Sequence, residues 1–411
     1  MIRVGRITSA IIMVVVGIML LYDQAADTNY LGYVLDWWPL ILILLGIEYL
    51  WINLKYQKSE KQLRLDVGGV LIAVVVVIAV VGVTQSRWLP TQWFQNMNWE
   101  SIVKGELGKK FELDKTTIPL SERTEKVAID NPYGSIIVKS GTGTGLEIQR
   151  TVWVNRSDEK EAERIATETQ LVYSEGSTLT VVTESEEKGW WWGRQPHIEL
   201  VVTVPSNREV NWVLKGKNGS IEAADIPLKD LLEADTSNGS VTLAELHGDV
   251  QVRTSNGAVK VNSVQGAIRL ETSNGSITAQ DIGGTAYLET SNASITADRI
   301  SGKLTADTNN GRVTVTDPSA GMEIDTSNGS VSVSSRQVGG DWKVGSSNGK
   351  VELRLPSTGS YEVDGRGGSV STNLPLEVSN NDKKVKGRIG GGEHKIKIET
   401  SNAGISLQRA D

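Results

Sequence analysis

Six residues spaced eighteen apart, Asp235, Arg253, Glu271, Glu289, Asp307 and Asp325, make the clearest chemical pattern in this chain of 411 residues. If that interval returns the chain to the same place, their side chains stand in one column about 5 Å apart. Carboxylates at that separation can act as the nucleophile and acid of a retaining glycoside hydrolase. They can also share a calcium ion. Nothing sets one pair apart from the others, and the nonapeptide calcium-roll signature does not occur. The column therefore reads as a solvated acidic edge, with calcium binding and catalysis as the alternatives.

A second column runs beside it: Asn238, Asn256, Asn274, Asn292, Asn310, Asn328 and Asn348, each within a word of the type Thr-Ser-Asn-Gly. Asn and Gly tolerate positive φ, so the words are expected to mark tight turns. Stacked amides can also pass hydrogen bonds from one copy to the next. The column reads as a structural turn device, with a ligand code as the alternative. Trp190, Trp191 and Trp192 stand together in "EEKGWWWGRQ". Three consecutive indoles cannot all enter one core, so they are expected either to cap an exposed sheet end or to contact a glycan, a partner or a bilayer.

Other reactive groups are sparse. There is no cysteine, which removes disulfides and thiol chemistry. His197, His247 and His394 are the only histidines and lack metal-ligand spacing. No Walker loop, nucleophile elbow or dinucleotide fingerprint stands between a strand and a helix. No cofactor and no resident metal are expected. The net charge of −7 argues against nucleic acid as a partner.

The elements that would position these columns follow from the spacing. Gly239, Gly257, Gly275, Ala293, Gly311, Gly329 and Gly349 are separated by 18, 18, 18, 18, 18 and 20 residues, with Gly219 and Gly368 extending the series. A fixed period of this length predicts a solenoid. Within each period, apolar residues alternate with polar ones, as in Val259-Lys260-Val261 and Ile268-Arg269-Leu270. One face of each strand is therefore buried and the other wet. Leu246, Val264, Ile282, Ile300, Pro318 and Val338 mark a corner between two strands. The predicted fold is an all-β parallel solenoid of coils of about 18 residues, right-handed by the crossover rule. No single coil can bury its own apolar face, so stacking must supply the stability. One helix is expected over "SDEKEAERIATETQ", capped by Ser157 or Asp158.

The first ninety residues differ in kind. Three apolar runs, 7–22, 37–54 and 67–84, approach the length that crosses a bilayer as a helix. Lys55, Lys58, Lys61 and Arg64 separate the second run from the third, whereas the first loop carries only acidic charges. The positive-inside rule then places the amino terminus inside and everything after Arg87 outside, as a multi-pass protein of the cell membrane with an extracellular carboxy-terminal part. The expected segments are a three-helix transmembrane region (1–87), a juxtamembrane linker (88–124), a β-rich part with one short helix (125–215) and the solenoid repeats (216–411).

The words "HIELVVTVPSNREVNWVLKGKNGSIE", the serial "TSNGSV" and the closing "GRIGGGEHKIKIETSNAGISL" resemble a bacterial family of adhesin-like domains of β-strand repeats, LiaG-like proteins among them. The run "WWPLILILLGIEYLW" is similar to the transmembrane region of LiaI/LiaF-like proteins of cell-envelope stress systems. The resemblance implies a membrane-anchored, non-enzymatic protein of the envelope serving adhesion, sensing or scaffolding. Its partners would be cell-wall glycan or another membrane protein. Two rivals stand beside it: a polysaccharide-acting β-helix enzyme, and a regulator of a membrane signalling partner.

Overall fold

The computed structural model describes residues 2–4, 63–65, 108–156, 158–185, 195–379, 381 and 383–410. The chain divides into two compact units, 1–105 and 106–411. In the first, Ile2–Val4 pairs in parallel with Leu63–Leu65. The three apolar runs expected to cross a membrane lie outside the described residues. No helix among the described residues is long and apolar enough to span a bilayer.

The second unit is built from alternation. Val259–Val264 points Val259, Val261 and Val264 inward, and Ile268–Thr272 points Ile268, Leu270 and Thr272 inward, with wet residues between them. The first of these strands lies in one sheet and the second in another, each sheet having fifteen strands. Every repeat adds one parallel strand to both. Val259 pairs with Ile277, which pairs with Ile295, and Ile268 pairs with Ala286, which pairs with Leu304. The 18-residue step is thus the pairing register itself. The side chains between the two sheets form one continuous apolar core that includes Trp212, Trp342 and Tyr361.

The stacking order departs from the order of the sequence at both ends. After Trp342–Ser346 and Val351–Leu355, the next neighbours are His394–Thr400 and Gly404–Arg409, not the segment around Gly368. Tyr361–Arg366 and Ser369–Thr372 stack on the far side of that last coil. The expected serial position of Gly368 is therefore corrected. The last coil of the chain gains a parallel neighbour on each side, and the antiparallel strands Lys384–Ile389 and Glu377–Ser379 finish the edge. An antiparallel finish limits further parallel stacking at an otherwise open edge.

The amino-terminal end mirrors this. Lys126–Asn131 and Ile136–Gly141 are held between the coil of Val210–Gly216 and Ile221–Ala224 and the strands Thr178–Glu184 and His197–Pro205. Gly145–Val154 then adds antiparallel, followed by Lys109–Glu112 and Thr116–Pro119. Residues 109–119, expected in a linker, are therefore part of the first sheet. The helix Glu159–Glu168 starts at Asp158, whose carboxylate accepts from the Glu161 N–H at 2.8 Å, and it buries Ala162, Ile165 and Ala166.

Candidate functional site

The recurring four-residue word can be read letter by letter in the structure. Its threonine continues the inward alternation of the preceding strand, so Thr236, Thr254, Thr272, Thr290, Thr308 and Thr326 are all buried. The Thr272 hydroxyl donates to the Gly257 carbonyl of the neighbouring coil at 3.1 Å and accepts from the Gly275 N–H of its own turn at 3.2 Å. Thr236, Thr254, Thr308, Thr326 and Ser346 make the same pair of bonds. Each hydroxyl thereby satisfies two backbone groups that the turn withdraws from the ladder.

The asparagines stand outside this relay, exposed to solvent. Each donates through Nδ2 to Oδ1 of the one in the neighbouring coil, at 2.6–2.9 Å, from Asn238 on Asn218 through to Asn402 on Asn348. The ladder includes two residues, Asn218 and Asn402, that the period alone did not enrol.

Positive φ is not what the word provides. Among the described residues, none of the turn asparagines or the glycines that follow them has positive φ. That conformation falls on the opposite corner, at Asp225, Glu245, Ser263, Asp281, Arg299 and Asp317. The turn glycine answers to crowding: a Cβ on Gly275 would stand 1.7 Å from the Gly257 carbonyl oxygen. Ala293 and Ala403, half-exposed where the glycines are buried, take that place in two coils.

Two open grooves run across successive coils. The one beside the turn words, about 710 Å³, is lined by Lys215, Asp235, Arg253, Glu271 and Glu289 together with the serines of the words. Strand register places Asp235 between Lys215 and Arg253, and continues the column through Glu271, Glu289, Asp307 and Asp325. Arg253 Nε contacts Glu271 Oε2 at 3.0 Å. Glu271 also meets Arg269, whose guanidinium lies 4.0 Å above the Tyr287 ring, and the Tyr287 hydroxyl donates to Glu289 at 2.7 Å. These contacts join three coils along the sheet face.

Burial pushes the Asp235 carboxyl up, against the pull of Arg253 and Lys215. Asp307 is also raised, by burial first and then by Asp325 and Glu289 on either side. Asp235 and Asp307 therefore each retain a proton further up the pH scale than an isolated aspartate. Among the described residues, no group of three or more His, Asp or Glu side chains is placed to hold a metal ion.

The second groove, about 790 Å³, follows the positive-φ corner past Asp281, Arg299, Asp317 and Arg336. Arg299 reaches both oxygens of Asp281, at 2.6 and 2.9 Å, and also pairs with Asp298. Arg336 binds Asp317 at 2.7 and 2.9 Å. The hydrogen bond from Arg299 holds the Asp281 carboxyl below its ordinary range. These charges are spent on one another.

Trp190, Trp191 and Trp192 lie outside the described residues, in the connection between Thr178–Glu184 and His197–Pro205. The threonine relay is the feature that sequence reasoning missed. Its signal was present, because Ile268, Leu270 and Thr272 share one parity and hence one face.

Residues 151–408 match the family described as Toastrack DUF4097. No curated protein matches the sequence. Among solved structures, the chain is similar to a candidate adhesin from Bacteroides fragilis at 11% identity, over 73% of this chain and 97% of that one, with a TM-score of 0.30. It is also similar to a candidate lipid-binding protein from Parabacteroides distasonis at 15% identity, over 73% and 97%, with a TM-score of 0.28. A candidate cell adhesion protein from Clostridium sporogenes aligns at 10% identity, over 73% and 100%, with a TM-score of 0.17.

Proposed function

The chain belongs to the Toastrack DUF4097 family, and on that premise we propose that it is a non-enzymatic β-solenoid displaying a contact surface in the bacterial cell envelope, for adhesion, sensing or scaffolding. The observation that carries this reading is the groove beside the turn words. It is open, repeats from coil to coil, and presents charges of both signs and serine hydroxyls at the strand spacing of about 4.8 Å. A surface of that kind suits an extended polar polymer, such as a cell-wall glycan, better than a small substrate. An enclosed site would need coil-specific insertions, and the central coils are nearly uniform.

Membrane anchoring through the three apolar runs, an outward-facing carboxy-terminal unit and a role in envelope stress belong to the same proposal. The first two are supported by the distribution of Lys and Arg around the runs, and the third by family resemblance alone. Trp190, Trp191 and Trp192, outside the described residues, are a second candidate contact.

The test uses the full chain in detergent micelles. Retention on purified cell wall should fall when Lys215 and Arg253, which both line the groove, are changed to Gln, with unfolding little altered because both side chains are exposed. Undiminished retention would refute the groove as the contact surface. External protease on intact protoplasts should release a fragment beginning in residues 86–125. Complete protection would refute the outward placement. Capture of one membrane protein by the full chain, without glycan retention, would favour the regulatory reading.

A further inference from the structure

The sequence contains seven Asn-Gly steps, at Asn218, Asn238, Asn256, Asn274, Asn310, Asn328 and Asn348. This dipeptide is chemically fragile. The glycine nitrogen can attack the preceding Asn Cγ, because no side chain hinders the approach. The Cγ–Nδ2 bond breaks, ammonia leaves and a cyclic imide forms. Water then opens the imide at either carbonyl, giving aspartate or isoaspartate. Water is consumed, ammonia is released, and no other reactant is needed.

The fold restrains this reaction at six of the seven steps. Gly239, Gly257, Gly275, Gly311, Gly329 and Gly349 each donate their N–H to the hydroxyl three residues earlier, at 2.8–3.3 Å. The nucleophilic nitrogen is thus held on the buried threonine or serine and away from Cγ. The amide under attack is also fixed, because each of these asparagines both donates to and accepts from another asparagine in the ladder. Attack requires breaking bonds on both partners.

Asn218 lacks the first restraint and half of the second. Three residues before Gly219 stands Gly216, which has no hydroxyl to offer. Among the described residues, the Gly219 N–H has no hydrogen-bond partner. Asn218 is the end of the ladder: its Oδ1 accepts from Asn238 at 2.7 Å, while its own Nδ2 donates to no described residue. The side chain is exposed to water, the second reactant.

We infer that Asn218 is the chain's site of spontaneous deamidation, and that the threonine relay protects the other Asn-Gly steps. Conversion adds one negative charge and, in the iso form, one backbone methylene. Both arise where the coil of 210–224 meets the coil of 126–141, at the foot of the asparagine ladder. This inference does not depend on what the protein binds.

The experiment incubates the full chain in detergent at mildly alkaline pH and follows each Asn-Gly step by digestion in acid and mass mapping, with isoaspartate measured enzymatically. Asn218 should convert about tenfold faster than Asn274, the factor equivalent to one net hydrogen bond. Gly216→Ser supplies the missing hydroxyl, and there is room for it, since a Cβ there would lie 3.4 Å from Thr236 Oγ1. It should slow conversion at Asn218 severalfold, towards the rate of the other steps, and an unchanged rate in the folded variant would overturn the role of the hydroxyl. Thr272→Ala, which frees the Gly275 N–H, should raise conversion at Asn274 and leave Asn218 unchanged. Equal rates at all seven steps in the unaltered chain would overturn the inference. So would a Thr272→Ala protein that folds and deamidates at Asn274 no faster than before.

Discussion

Replacing Thr272 with Val tests where the stability of the turn resides. The two side chains have nearly the same shape, but the hydroxyl is lost, which makes this swap far from neutral in a buried site. Two bonds disappear, one to the Gly257 carbonyl at 3.1 Å and one from the Gly275 N–H at 3.2 Å. Both glycines are buried, so water cannot readily replace the lost partner. A buried polar group left unsatisfied costs about 1–3 kcal/mol, so two of them should cost about 2–6 kcal/mol. Asn274→Ala removes the bonds to Asn256 and from Asn292 and a long one to the Ser255 carbonyl at 3.4 Å, but on an exposed side chain that water can reach. Its cost should stay near 1 kcal/mol. Urea unfolding of the two variants, followed by circular dichroism and compared at equal slope, measures the difference. Thr272→Ser, which keeps the hydroxyl, serves as the control and should lose little. If Thr272→Val were no more costly than Asn274→Ala, the buried relay would not be the main fastening of the turn.

Asp307 gives a pH-dependent prediction. Its folded-state pKa is raised above 3.8, so its favourable contribution is complete below that value and is lost as pH rises through the raised one. Asp307→Asn should therefore stabilise the protein at neutral pH and make little difference in acid, which unfolding at the two pH values will show. Asp281 has the opposite sign: its pKa is lowered by Arg299, so its contribution is present above 3.8 and fades as pH falls through the lowered value. Asp281→Asn should destabilise only at the higher pH, and modestly, since the pair is exposed. One residue inserted after Leu270 should be far more damaging than any of these point changes, because it exchanges the buried and wet faces of the strand against both neighbours. EDTA should leave the melting temperature unchanged, since the acidic column presents no metal cluster among the described residues.

The period of eighteen, read with the alternation of Val259, Val261, Ile268 and Leu270, determines the coil, the buried faces and the strand register of the central repeats. In the central coils the repeat distance and the register are one quantity, and the 20-residue steps keep the same register with two extra residues outside the paired strands. The charged column from Asp235 to Asp325 was legible for the same reason. The parity of Thr272 with Leu270 also places its hydroxyl on the buried face.

The order of coils at the two ends could not be read this way. The period records how coils fit, and the segments around Gly368 and Asn402 both carry a fitting word. Which of them meets Asn348 is settled by the hairpin of Tyr361–Arg366 and Lys384–Ile389, which stacks on the last coil rather than beneath it. Positive φ was likewise decided in three dimensions. Composition assigned it to Asn and Gly, yet stacked amides and close carbonyls account for those residues, and the left-handed backbone passes to Glu245, Ser263, Asp281 and Arg299. At that corner each such residue sits immediately before a side chain that must turn into the core, Leu246, Val264, Ile282 or Ile300. Burial of the following residue outweighs the local cost of the strained one. Local preference proposes a conformation, and the packing of neighbouring coils decides where it is used.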